Sequence, residues 1–165
     1  MKLLFLVRHA KASWKDANLP DRGRPLNKRG ERDAPRMGMR LAQRTDRPEL
    51  IVSSPAGRAL TTAQVFATEL GYEPADVTVD EDIYAAGPRE LIEVIRGFDD
   101  QYQQIMLVGH NPALTDLVNQ LAGSDIENMP TCGVAVLRFE TDTWATVETG
   151  TAKLLEFDYP KKLAD

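Results

Sequence analysis

The chain has 165 residues, 42% of them hydrophobic and 27% charged, with a net charge of −5. That is one domain's length with enough apolar side chains for a core, and it excludes a chain disordered throughout. The acidity argues against a nucleic-acid partner, and no apolar run approaches the roughly 20 residues of a membrane span.

The charge is unevenly spread. Residues 1–47 carry 13 Lys/Arg against 5 Asp/Glu, and residues 48–165 carry 7 against 20. The basic first third can attract a small anion such as phosphate, although most of Arg29, Arg32, Arg36, Arg40, Arg44 and Arg47 read as a solvated helix face. Cys132 is the only cysteine. It cannot form an internal disulfide and reads as a packing residue, so a reducing, cytoplasmic setting is expected. The N-terminal apolar run ends in Arg8-His9 rather than a small-residue cleavage site, so no signal peptide is expected.

In chain order, Leu3–Val7 reads as a buried strand. Residues 10–26, with Pro20, Gly23 and Pro25, read as a long loop of the kind that carries function. Asn27 is placed to cap a helix running to about Gln43, with Ala34, Met37 and Leu41 on its apolar stripe. Pro35 inside that helix predicts a kink or a late start. Leu50–Val52 is a second strand, followed by a helix from near Ala56 that Gly71 stops. A short strand at Val77–Val79, a helix opened by Pro88, a strand at Ile105–Val108 and a helix opened by Pro112 follow. Gly133–Glu140 and Trp144–Glu148, joined by Thr141-Asp142-Thr143, predict an antiparallel hairpin. Residues 152–158 are a further strand candidate. The alternation implies an α/β fold with a mainly parallel sheet covered on both faces, and ligands in such sheets bind beyond the strands' carboxyl ends.

Both histidines follow apolar runs: His9 after Arg8 and the first strand, His110 after Gly109 and the strand at 105–108. Arg58 lies in the first turn of the helix after another strand. Two imidazoles and two guanidiniums therefore converge on one rim. A neutral imidazole attacks phosphorus well, two arginines fork phosphoryl oxygens, and a second imidazole is a further donor. Taken singly, each residue also reads as structural: His9 and His110 as ordinary strand-end histidines, Arg58 as a surface helix residue. There is no metal-ligand spacing, no G-x-S-x-G elbow beside Ser53-Ser54, and no P-loop.

Three segments then carry a resemblance. Leu6-Val7-Arg8-His9-Ala10, the run from Ser53 to Ala63, and Val108-Gly109-His110-Asn111-Pro112 resemble, in order, three motifs of the histidine phosphatase superfamily, the phosphoglycerate-mutase-like group. Asp21–Leu26 and the short length resemble its SixA-type phosphohistidine phosphatase branch, and the likeness extends to Trp144 and Tyr159-Pro160-Lys161. The resemblance implies a three-layer α/β/α sandwich over residues 1–165. It implies His9 as the phosphate-accepting nucleophile, with Arg8, Arg58 and His110 completing the phosphate pocket, and no metal or other cofactor. Arg24 is a further phosphate-binding candidate, its alternative being an ion pair with Asp21 or Asp16.

The departures are Ala10 for the usual Gly and Lys15 for the Asn that often follows Trp14. Ala85 falls where larger members place an acidic proton donor, with Asp80, Glu81 and Asp82 nearby. Only 52 positions separate Arg58 from His110, too few for a large lid. The expected activity is a metal-independent phosphatase working through a covalent phosphohistidine, acting on phosphohistidine of a protein. A phosphatase for a small phosphate ester or anhydride, or a non-catalytic phosphate-sensing adaptor, is the alternative.

Overall fold

A computed structural model describes residues 1–163; the last two residues of the expected 1–165 domain lie outside the described residues. Four strands and four helices alternate first: β1 (Lys2–Arg8), α1 (Lys28–Ala42), β2 (Leu50–Ser53), α2 (Gly57–Glu69), β3 (Thr78–Val79), α3 (Pro88–Arg96), β4 (Gln104–Gly109) and α4 (Ala113–Ala122). Then come β5 (Val134–Phe139) and β6 (Ala152–Asp158). One sheet holds all six strands in the order β3-β2-β4-β1-β5-β6. β3, β2, β4 and β1 pair in parallel, while β5 runs antiparallel to both β1 and β6.

Strand alternation divides the core into two layers. On β1, Leu3, Phe5 and Val7 face the apolar side chains of α1 and α2, including Met37, Leu41 and Phe66. Leu4 and Leu6 face the other way, against Leu91 and Ile95 of α3 and Leu117 and Leu121 of α4. The result is the expected sandwich of helices on both faces of a mixed sheet. β1 and β4 lie side by side at its centre, so Arg8 pairs with Gly109 at their carboxyl ends and the residues that follow leave the sheet together.

One of the two outcomes expected at Pro35 is ruled out, and one expectation is corrected. α1 starts at Lys28, capped by the Asn27 side chain accepting from the Gly30 N–H at 2.9 Å, and passes through Pro35 without a late start. Pro35 removes only the partner of the Glu31 carbonyl, and Glu31 is exposed, where water can serve it. The correction concerns the hairpin. Residues 144–146 form a 3-10 turn, and β5 pairs instead with β6. Trp144 is wholly buried against Phe98 and Phe139, its indole N–H donating to the Tyr102 carbonyl. That anchor turns the chain inward where its composition suits a strand.

Candidate active site

The floor of the site forms where β1 and β4 end. The backbone N–H of His9 donates to the Gly109 carbonyl at 3.1 Å, and the His9 carbonyl accepts from Cys132 N–H at 3.1 Å. Ala10 N–H donates to the Thr62 hydroxyl at 3.0 Å, and that hydroxyl donates to the Arg58 carbonyl at 2.7 Å. Thr62 thus ties the turn after β1 to the first turn of α2. The imidazoles of His9 and His110 come to 5.3 Å between ring centres.

Hydrogen bonds assign the tautomer of His9. Its Nδ1 lies 2.7 Å from the Ala10 carbonyl, which can only accept. Nδ1 therefore carries the proton and Nε2 keeps its lone pair. Burial first, with His110, Arg58 and Arg8 adding to it, lowers the pKa of His9 to about 3, so the ring is neutral near pH 7.

His110 is also held by a hydrogen bond. Its Nε2 lies 2.8 Å from the Ser54 hydroxyl, which already accepts from the Ala56 N–H. With that bond made, the Ser54 hydroxyl keeps its O–H and a second lone pair, so it can serve either tautomer of His110. The Nδ1 of His110 is buried with no partner. Burial, then Arg58 and Arg8, brings the pKa of His110 down to about 4, against a smaller opposing effect of Asp21.

Arg8 donates from Nη1 to the Met129 carbonyl at 2.8 Å, and its Nε is a second buried donor with no acceptor. The loop bearing Met129 is tied to the β4–α4 turn by Asn111, whose amide donates to Asn128 and Met129 and accepts from Thr115. Two buried nitrogens without partners, Arg8 Nε and His110 Nδ1, thus belong to residues that line one cavity with His9. A tetrahedral oxyanion would satisfy donors placed in this way.

The wall is the loop between β1 and α1. Arg58 donates to the Asp21 carbonyl at 2.7 Å and to its carboxylate at 3.0 Å. Tyr84 also donates to that carboxylate. This hydrogen bond first, then Arg58 and Arg24, lowers the Asp21 pKa to about 2, so Asp21 is an anion at neutral pH and not an acid in reserve. Arg24 donates from Nε to the Ser13 carbonyl at 3.1 Å and approaches Asp21 at 3.4 Å. Arg24 thus makes the ion pair with Asp21 that was its alternative role, and it also lines the cavity that holds His9.

That cavity is about 260 Å³ and is bounded by Arg8, His9, Arg24, Arg58 and His110, with Lys11 and Trp14 toward its mouth. No carboxylate lines it. Asp80 instead caps Asp82, Glu81 pairs with Arg22, and Ala85 is an exposed methyl. Lys15 stays exposed and borders a neighbouring groove, while Lys11, which motif reading passed over, enters the cavity. Ser54, Thr62 and Asn111 as positioning residues, Asp21 as the partner of Arg58, and Tyr84 as the partner of Asp21 were likewise missed. Ser54 was visible only as a serine at a strand end; nothing local marks Tyr84 or the pairing of Asp21 with Arg58. Cys132 is buried, and burial raises its thiol pKa, in keeping with a packing role. Among the described residues no group of three or more His, Cys, Asp or Glu side chains is placed to hold a metal ion, and no helix is long and apolar enough to cross a membrane.

The family model for the histidine phosphatase superfamily (branch 1) matches residues 4–84. An uncharacterised protein of Mycobacterium tuberculosis is 33% identical over 165 residues, covering 94% of this chain and all of that one. A solved structure of a proposed SixA phosphohistidine phosphatase from Agrobacterium tumefaciens is 29% identical, with a TM-score of 0.80 over 96% of this chain and 98% of the other. A second such structure, from Nakamurella multipartitia, has a TM-score of 0.81 at 23% identity over 96% of each chain, a likeness of fold. The chain belongs to the histidine phosphatase superfamily, in its SixA-type group, and its class of activity is that of a phosphatase.

Proposed function

We propose that the protein hydrolyses phosphohistidine on a partner protein, by double displacement through His9 and without a metal. The observation that carries this reading is the state of His9: neutral, with Nδ1–H spent on the Ala10 carbonyl and Nε2 free at the cavity floor.

In the first step Nε2 of His9 attacks phosphorus in line. The bond from phosphorus to the substrate nitrogen breaks, and its electron pair returns to the leaving imidazole. A phosphoimidazole protonated on its second ring nitrogen departs as neutral imidazole, so no strong general acid is needed. The absence of a carboxylate among the cavity's lining residues fits that leaving group better than a sugar alkoxide. Arg8, Arg58 and His110 hold the charge spread over the phosphoryl oxygens, a role that elsewhere falls to a metal. Arg8 Nε, and His110 Nδ1 in the tautomer that carries its proton there, have no other bond to give up, whereas Arg58 must share its fork with Asp21. In the second step water attacks phosphorus, the phosphorus–His9 bond breaks, and inorganic phosphate leaves. One proton of the water goes to bulk solvent or to the phosphate, and neutral His9 is restored.

The short segment from α2 to His110 contributes no covering lid, and Lys11 and Trp14 at the mouth are exposed. A side chain presented on another protein can reach such a floor, while a mutase would need to keep its intermediate from water. This favours a phosphoprotein over a small phosphate ester.

The test compares wild type with His9→Ala on a phosphohistidine protein, phosphoramidate and a panel of sugar phosphates, with a chelator present. Wild type should release phosphate from the nitrogen-linked substrates at least about tenfold faster than from sugar phosphates. Faster turnover of a sugar phosphate would move the substrate to the small-ester class. Release that survives His9→Ala would remove the catalytic assignment, and binding without turnover would favour the phosphate-sensing alternative.

A further inference from the structure

We propose that Trp14 is the platform on which the substrate's imidazole ring stacks, which makes it the residue that selects a ring-bearing phosphoramidate over a bare one. The proposal rests on the phosphohistidine reading above and names what that reading leaves open, the contact made by the leaving group.

Trp14 is 76% exposed, whereas the protein's other tryptophan, Trp144, is fully buried. Other large apolar side chains are exposed too, such as Met39 at 56% and Met1 at 51%, but Trp14 alone among them borders the cavity that holds His9. An isolated exposed apolar residue needs no explanation; a tryptophan that lines a polar cavity and stacks on an arginine is a different matter.

The indole is held from one side. The guanidinium of Arg24 lies 3.2 Å from the ring centre. Arg24 is itself only 9% exposed, and its Nε–H is committed to the Ser13 carbonyl, the residue just before Trp14. The loop therefore clamps the ring with a buried, hydrogen-bonded cation on one face and leaves the rest of the indole to solvent. An aromatic face of this kind takes a second planar group by stacking, at small cost in side-chain freedom because the ring is already fixed.

Phosphorus chemistry says what that planar group is. In-line attack by His9 puts the leaving group on the side of phosphorus opposite Nε2, directed from the floor toward the mouth. Trp14 lines this cavity and is 76% exposed, which puts it on the open side. A phosphoramidate offers only an amine there, while a phosphohistidine offers an imidazole, planar and cationic when protonated, which an indole face attracts.

The experiment uses Trp14→Phe and Trp14→Leu with two substrates that share the P–N bond, phosphoimidazole and phosphoramidate. Trp14→Leu should lower the ratio of kcat/KM for phosphoimidazole to that for phosphoramidate by about 3- to 10-fold. Trp14→Phe, which keeps a ring, should lose less. Equal losses on both substrates, or an unchanged ratio, would overturn the proposal. A binding arm separates it from the reading beneath it. In His9→Ala protein, phosphoimidazole should quench the exposed tryptophan's fluorescence and phosphoramidate should not, and adding Trp14→Leu should abolish the quenching. Should wild type cleave neither substrate, the phosphohistidine reading fails and this arm decides the stacking alone: quenching that survives Trp14→Leu, or none at all, overturns it.

Discussion

The floor and the wall of the cavity are built by different means. The floor residues, Arg8, His9 and His110, sit at the ends of two central strands that pair residue for residue, and buried backbone bonds hold their turns. The wall residues, Asp21, Arg24 and Trp14, sit on a loop closed at its base by backbone bonds between residues 11–13 and 25–27, while its side chains reach Arg58, Tyr84 and the Ser13 carbonyl. The comparison teaches a division of labour. A rigid floor presents a neutral nucleophile and unspent donors, while an exposed wall meets whatever carries the phosphate.

Changes to the floor should cost most. His9→Ala should lower phosphate release roughly 10³-fold or more while leaving the unfolding midpoint nearly unchanged, as nucleophile deletions do. A variant that keeps a tenth of wild-type turnover would mean that the floor binds but does not react. Arg8→Ala should cost about 10²- to 10³-fold in kcat, the usual loss for a donor aimed at developing charge. Arg8→Lys should recover only part of it, because an ammonium cannot reproduce the unspent Nε–H. Full recovery would reduce the role of Arg8 to charge alone.

The seam between floor and wall can be broken without touching either. A Cβ at Gly30 would lie 2.3 Å from the Lys11 carbonyl, where the loop leaving His9 meets the first turn of α1. Gly30→Ala should therefore destabilise the fold by about 1–3 kcal/mol, read from the urea midpoint, and lower activity as the loop shifts. A neutral result would mean that the loop and helix part at no cost.

Wall changes should be gentler. Asp21→Asn removes the anion that shares Arg58, so inorganic phosphate should inhibit about 2- to 5-fold more tightly, the range of an exposed ion pair. Weaker inhibition would show that Asp21 positions Arg58 rather than competing for it.

The smallest effect expected is a flat line. With the pKa of His9 near 3 and that of His110 near 4, kcat/KM corrected for substrate ionisation should hold steady from pH 7 to 5 and fall only below that. Stability behaves differently. An unfolded histidine takes up its proton near pH 6.5 while the folded ones remain neutral, so the unfolded state binds more protons between about 4 and 6.5. Stability should then decline as pH falls through that window. An activity limb near pH 6.5 would contradict the depressed pKa of His9.

The floor was legible in the sequence because its signals are local: an apolar run, then Arg8-His9, and another, then Gly109-His110. Parallel pairing alone brings them together. The contacts of the wall join residues far apart, Asp21 to Arg58 across 37 positions and to Tyr84 across 63, and no local pattern encodes such meetings. Ser54, 56 positions from His110, was hidden for the same reason. Trp144 misled in the opposite direction. Its neighbours suit a strand, yet its burial among Phe98, Phe139 and Lys2 decides the chain's path. Pro35 was read by its intrinsic cost, whereas an exposed carbonyl bears that cost here. The antiparallel pair itself was foreseen, and only its second arm lay elsewhere, at 152–158.

The central claim is that His9 becomes phosphorylated, and rapid mixing tests it most directly. Wild type and His9→Ala would be mixed with phosphoramidate, quenched in base within milliseconds, and their peptides mapped for bound phosphate. The account predicts phosphate on His9, stable in base and labile in acid, forming before steady-state release and absent from His9→Ala. Phosphate released with no phosphoenzyme formed, or phosphate found on Ser54 or another residue, would contradict it.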